Sequence, residues 1–161
     1  MPPPEPGTSF PDIELADARG ARAPRPRGET LYAFFHTTCP TSEMAWPYLE
    51  RIRRIGREGS LSVVAVSQDG ARETDLFNRR LGVNVTTLYD PPPWKASEAL
   101  RLENVPAFFH VGAGGEILDS VEGFQRAKME ELAARAAKLA GGKAPAELFL
   151  PGESVPAIRP G

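Results

Sequence analysis

The sequence has one cysteine, Cys39, and two histidines, His36 and His110, in 161 residues. A single thiol excludes an internal disulfide framework. With so few soft or nitrogen ligands, we expect no zinc or iron site. Acidic and basic residues almost cancel, giving a formal net charge of −2. The composition therefore gives no electrostatic reason to expect nucleic acid or an acidic membrane as a partner.

The chain also lacks a run of about 18 apolar residues, so the sequence predicts no membrane span. Its N-terminus shows no basic segment followed by an apolar stretch, and we expect no secretory signal and a cytoplasmic location. A periplasmic or secreted location would require a leader that has been removed.

Proline, by contrast, is abundant, with 17 residues. The prolines cluster near both ends, at 24–26 and at 91–93, and they mark extended or loop segments because proline fixes φ and lacks an N–H donor. We predict one domain over 1–145 and an extended C-terminal tail over 146–161. The apolar triplet at 148–150 favours docking of this tail onto the domain.

Strand and helix signals alternate along the predicted domain. The runs 31–35 and 61–67 are apolar or β-branched, which is typical of strands covered on both faces. A glycine-rich turn at 112–115 joins two further apolar runs into a β-hairpin. The sequence predicts an α/β fold, a central mixed sheet with helices on both faces. Three apolar stripes at helical spacing predict the helices: Ala45, Tyr48, Leu49, Ile52 and Ile55; Leu76, Phe77 and Leu81; and Met129, Leu132, Ala133, Ala136 and Leu139.

Cys39 follows the first predicted strand and stands just before the first predicted helix. Pro40 suits the first helical turn, where its missing N–H is not needed. The free N–H groups and the positive dipole end at a helix start favour a thiolate, which attacks disulfides and peroxides. Ser42 can donate a hydrogen bond to this sulfur from its hydroxyl or its backbone N–H. A lone cysteine can also be a small buried hydrophobe, but this position favours a reactive thiol.

Five segments, in order, resemble the thioredoxin superfamily, in particular its TlpA/ResA-like branch, which is close to the AhpC/TSA redoxins. They are the N-terminal strand entry at 7–15, the Cys-Pro-Thr-Ser at 39–42, the helix proline Pro47, the second central strand at 63–69, and the segment 105–109. The resemblance implies a thioredoxin fold with an N-terminal β extension and thiol–disulfide exchange as the activity.

The resemblance also assigns roles to individual residues. It implies a cis peptide bond before Pro106, placed beside the nucleophile Cys39. It implies that the backbone of Val105 binds an extended substrate peptide. Ser42 would assist the thiolate, and the remaining rim of the site would consist of Thr38, Pro40 and Thr41.

The chain departs from the family pattern at its most reactive positions. The second cysteine of Cys-x-x-Cys is Ser42, the two familiar carboxylate positions hold Ala33 and Ala45, and the tryptophan before the first cysteine is Thr38. A mixed disulfide on Cys39 therefore has no internal thiol to resolve it. We predict a monothiol protein acting on protein or small-molecule disulfides and thiols. It needs no cofactor, and glutathione serves as a candidate co-substrate.

Two other functions remain open from the sequence. A one-cysteine peroxidase is one, since Cys-Pro-Thr at 39–41 resembles the peroxiredoxin motif. However, the accompanying proline, hydroxyl and arginine positions hold Tyr32, His36 and Pro106. The other is a binding module that holds partners without turnover.

Three further side chains are secondary candidates. His36 lies near Cys39 in the sequence and can act as an acid or base. Trp46 and Trp94 either pack in the interior or line a substrate groove.

Overall fold

A computed structural model describes residues 2–57, 61–142 and 147–161. Within these residues the chain forms seven strands and four helices. In chain order they are β1 Thr30–Phe35, α1 Pro40–Gly56, β2 Ser62–Ser67, α2 Ala71–Leu81, β3 Thr86–Tyr89, α3 Lys95–Ala99, β4 Ala107–Val111, β5 Ile117–Glu122, β6 Phe124–Gln125, α4 Arg126–Leu139 and β7 Ile158–Arg159.

Five strands form one mixed sheet in the order β3-β2-β1-β4-β5. The strands β1, β2 and β3 are parallel, and β4 and β5 add antiparallel to β1. Parallel neighbours need a crossover connection, and α1 and α2 supply the two crossovers. The predicted α/β architecture is confirmed, with β1 at the centre and buried along its whole length.

The two faces of β1 build two separate cores, because successive side chains of a strand point to opposite faces. Leu31, Ala33 and Phe35 face a core shared with α1, α2 and α4. Tyr32 and Phe34 face a second core, which is closed by α3 and the N-terminal segment. Helices therefore cover both faces, as the sequence predicts.

The N-terminal β extension consists of isolated bridges. Ser9 pairs with Glu116 and Ala16 pairs with Tyr89, at opposite edges of the sheet. The segment runs over one face of the sheet and touches both edges, so it cannot pair continuously with either. Its Phe10 stacks on Tyr32 with ring centroids 4.8 Å apart, which anchors the segment to the second core.

The predicted helices are present, and α2 ends as expected at Gly82, which takes a left-handed conformation. Leu76 of the predicted stripe is nevertheless 60% exposed, whereas its neighbour Phe77 is buried. Adjacent residues point about 100° apart on a helix, so this short stripe buries only part of its pattern. No helix in the described part of the chain is both long and apolar enough to span a bilayer.

The C-terminal residues 147–161 dock onto the domain. Leu148 is 3% exposed in the core beside α1 and α4. The ring of Phe149 lies 4.7 Å from that of Tyr48, and Arg51 donates two hydrogen bonds, of 2.6 and 2.9 Å, to the Glu153 carboxylate. The tail boundary that the sequence predicts at 145/146 lies outside the described residues and stays a prediction.

Candidate active site

Cys39 is the N-cap residue of α1. Its backbone is extended, with φ −85° and ψ 116°, and its Sγ accepts a hydrogen bond from the backbone N–H of Ser42 at 3.4 Å. Side-chain oxygens usually fill this position because the first N–H groups of a helix lack partners. Here the sulfur of a partly exposed cysteine takes their place, with Pro40 in the first turn as predicted.

The sheet brings Val105 and Cys39 together at one end of its strands. Strands β1 and β4 are antiparallel neighbours, so the chain leaving β1 toward Cys39 lies beside the chain that enters β4. The Cys39 thiol donates a hydrogen bond to the Val105 carbonyl oxygen, with Sγ and O 3.4 Å apart. The peptide bond between Val105 and Pro106 is cis. The sulfur and this bend, which lie far apart in the sequence, thus meet in space.

Ser42 contacts the sulfur through its backbone alone. Its side chain is fully buried, and among the described residues its hydroxyl has no hydrogen-bond partner. Of the two donors expected from the sequence, the N–H therefore reaches Cys39 and the hydroxyl does not. The reason is helical geometry, because a residue in the first turn directs its N–H toward the N-cap residue Cys39, while the Ser42 side chain lies on the face of α1 that packs on the core.

The three predicted rim residues differ in their surroundings. Thr38 and Pro40 are exposed on either side of the sulfur. Thr41 is buried, and its hydroxyl donates a 2.7 Å hydrogen bond to the carbonyl oxygen of Pro160. The hydrogen bond of this hydroxyl is thus already made to the C-terminal tail.

The end of the tail lies against the site, which the sequence did not predict. Strand β7 pairs with β6. A Cβ on Gly123, whose φ is +77°, would lie 2.9 Å from the Arg159 carbonyl oxygen, and a Cβ on Gly161 would collide with the Val105 carbonyl oxygen. The missing side chain of Gly123 lets the tail approach β6, and the missing side chain of Gly161 lets the tail approach Val105.

Asp69 holds the loop that carries Cys39. Its carboxylate accepts hydrogen bonds from the N–H and hydroxyl of Thr37, at 2.7 and 2.8 Å, and lies 3.5 Å from Nδ1 of His36. Burial raises the pKa of Asp69, but the Thr37 hydrogen bonds and the neighbouring His36 outweigh it and lower the pKa overall. The resemblance assigned 63–69 to a strand, and nothing in its pattern indicated this loop contact.

The secondary candidates lie outside the contacts of the sulfur. His36 faces Asp69. Trp46 is fully buried, with its ring centroid 4.3 Å from that of Phe35. Of the two roles considered from the sequence, it has the one in the interior. Trp94 is exposed, and its indole N–H donates to the Gln68 carbonyl at 3.0 Å. In the described part of the chain, no hydrogen bond joins any of these rings to Cys39.

Several solved structures superpose on this one over most of its length. A chain from Chlorobium tepidum, described as the thiol:disulfide interchange protein DsbE, superposes with a TM-score of 0.72 at 19% identity, covering 85% of this chain and 99% of its own. The chain has the thioredoxin fold.

Two further thioredoxin-fold structures, both from Mycobacterium tuberculosis, are similar. DsbF gives a TM-score of 0.66 at 20% identity, covering 79% of this chain and 94% of its own. The peroxidoxin BcpB superposes with a TM-score of 0.64 at 17% identity, covering 85% of this chain and 96% of its own. No protein-family model and no curated protein sequence matches the chain. At these identities the likeness establishes the fold.

Proposed function

We propose that this protein is a monothiol thiol–disulfide oxidoreductase with Cys39 as its nucleophile. The observation that carries the proposal is the placement of one partly exposed cysteine, whose sulfur lies 3.4 Å from both the Ser42 backbone nitrogen and the Val105 carbonyl oxygen. The Ser42 N–H at the helix start donates to the sulfur, and the neighbouring bend at Val105 offers backbone groups to a partner chain. Structures named as disulfide oxidoreductases share the fold that creates this meeting point.

The reaction is an exchange of sulfur partners. The Cys39 thiolate attacks one sulfur of a disulfide, a new S–S bond forms, and the other sulfur leaves as a thiolate that takes a proton from water. The Ser42 N–H remains a donor to the sulfur as its charge changes. The Val105 carbonyl can accept only from the protonated thiol, so its hydrogen bond is released when the proton leaves.

A second, external thiolate must complete the cycle. Ser42 stands at the position from which an internal thiol would attack, and Cys39 is the only cysteine. A glutathione thiolate attacks the partner's sulfur in the mixed disulfide, forms a new disulfide with it and returns Cys39 as a thiolate. The reduced glutathione pool of the cytoplasm, where the sequence led us to expect the protein, supplies this reagent.

Incubation of the reduced protein with oxidised glutathione tests the proposal. We expect one glutathione per chain by intact mass, mapped by peptide digestion to Cys39, and loss of the adduct when reduced glutathione is added. Cys39→Ser is the matched control and should stay unmodified. A wild-type protein that takes up no glutathione under these conditions would contradict the proposal.

Peroxide reduction is a second candidate, favoured by the likeness to the peroxidoxin BcpB. The Cys-Pro-Thr motif would offer the Thr41 hydroxyl to a peroxide, but this hydroxyl donates its hydrogen bond to the Pro160 carbonyl oxygen. Among the described residues, no arginine hydrogen-bonds to Cys39 or Thr41, where a peroxiredoxin-like site would use one to polarise a peroxide. Sulfenic acid formation on Cys39 with stoichiometric peroxide, detected by a dimedone adduct, would favour this candidate over disulfide exchange.

A further inference from the structure

The final residues of the tail occupy the side of the site where Val105 presents its backbone. Pro160 accepts the Thr41 hydroxyl, and Gly161 lies against the Val105 carbonyl so closely that no side chain fits between them. The proposed function offers the Val105 backbone to a partner chain, and Thr41 belongs to the predicted rim of the site. An extended segment of this chain thus already fills the space such a partner would need.

The tail is held unequally along its length. Its first part is anchored by the buried Leu148, by Phe149 between aromatic rings, and by the paired hydrogen bonds from Arg51 to Glu153. Its last part pairs with β6 over two residues only, and Ile158 is 71% exposed. Few contacts need to break for the last residues to leave while the anchor stays in place.

We propose that residues 158–161 are a displaceable cover over the peptide-binding side of Cys39, a regulation that rests on the proposed disulfide exchange. Cys39 stays partly exposed under this cover, so the proposal gives a small disulfide direct access to it. A peptide disulfide must also pair with the backbone at Val105, and it competes with the tail for that place. The cover therefore slows exchange with extended protein segments and leaves exchange with small disulfides largely unaffected.

The test compares two substrates on four proteins: wild type, a variant ending at Ala157, Glu153→Gln and the control Asp75→Asn. The substrates are oxidised glutathione and an unstructured model peptide carrying one mixed disulfide. If the uncovered form holds about one molecule in ten, removing the cover raises the peptide rate about tenfold. Glu153→Gln should give a smaller rise, and Asp75→Asn, an equal change of charge in the exposed α2 ion pair, should give none.

The rates with oxidised glutathione test the disulfide exchange by itself, without the cover. We expect its rate to agree across all four proteins within about twofold, a difference too small to reflect the population shift that the cover imposes on peptides. Equal peptide rates in wild type and the shortened variant overturn the cover while exchange stands. No reaction of the wild type with either substrate overturns the proposed function and the cover together.

Hydrogen exchange supplies a readout in the full-length chain that does not depend on rate. The Arg126 amide donates to the Ala157 carbonyl at 2.9 Å, at the point where the cover begins. We expect this amide to lose protection when the model peptide is linked to Cys39, and to keep it when glutathione is linked there. Unchanged protection in the peptide adduct would show that the tail is not displaced and would overturn the proposal.

Discussion

At the scale of single residues, the pair Cys39 and Ser42 decides which chemistry this site can complete. Cys39 caps α1 and Ser42 lies in its first turn. The serine N–H donates to the sulfur, and the serine hydroxyl is buried without a hydrogen-bond partner among the described residues. A buried hydroxyl that makes no hydrogen bond costs about 1–3 kcal/mol. A less polar side chain of similar size is therefore well suited to this position.

Ser42→Cys should convert the protein into a self-resolving dithiol. Residues three apart in a helix have Cα atoms about 5 Å apart, within the range that a disulfide bridges. We expect oxidised glutathione to yield an internal disulfide in this variant, seen as loss of both free thiols without retained glutathione. Ser42→Ala is the matched control and should retain one glutathione. Two free thiols persisting in the cysteine variant would contradict the geometry.

At the scale of elements, the tail is attached by its first part. The described tail begins at Glu147 and places Leu148 in the core between α1 and α4, while Leu150 points outward. The two leucines have the same side chain and lie within one short segment. Their environments differ enough to measure the contribution of docking.

Leu148→Ala should lower the free energy of unfolding by about 2–5 kcal/mol, because a fully buried leucine is replaced by a cavity. Leu150→Ala, at a side chain that is 51% exposed, should change it by no more than about 0.5 kcal/mol. Urea unfolding followed by fluorescence measures both. Equal effects of the two substitutions would mean that the tail is not part of the folded unit.

The elements that could be predicted from the sequence are those with a strong periodic pattern. The central strands β1 and β2, the hairpin β4–β5 and the helix α4 each show one. Strand β3 was missed because it lies at the sheet edge and is only partly buried, although Val85, Thr86 and Thr87 were a β-branched signal. Helix α3, with five residues, is too short to show a period.

The candidate site divides in the same way. The positions of Cys39 and Pro40 follow from local rules of helix starts, and the nearness of Val105 was implied by the family resemblance. The tail contact at Thr41 and the Asp69 contact to the preceding loop join residues distant in the chain. Neither has a local pattern, so only the folded structure reveals them.

At the scale of the whole molecule, Glu29 joins three parts of the domain. It precedes β1, accepts hydrogen bonds from Arg135 of α4 at 2.7 and 2.8 Å, and lies 2.8 Å from Nε2 of His110 in β4. The Arg135 hydrogen bonds lower its pKa, burial opposes them, and His110 adds to the lowering, so that the pKa falls from 4.5 to about 2. The carboxylate is thus stabilised in its charged form.

A lowered pKa in the folded state predicts how stability depends on pH. The contribution of Glu29 is fully present above 4.5 and is lost as the pH falls through about 2. A shift of this size corresponds to about 3 kcal/mol at neutral pH, which Glu29→Gln should remove. Unfolding measured from pH 7 to pH 2 should show the difference between wild type and variant shrinking below 4.5. A difference that stays constant with pH would contradict the assignment.

Under the proposed function, Cys39 forms a mixed disulfide that only an external thiol can resolve. The most direct measurement is the rate at which a purified Cys39–glutathione adduct is released as a function of reduced glutathione concentration. We expect a rate proportional to that concentration, with no release when the thiol is absent. Release without added thiol, or an adduct that added thiol cannot remove, would contradict it.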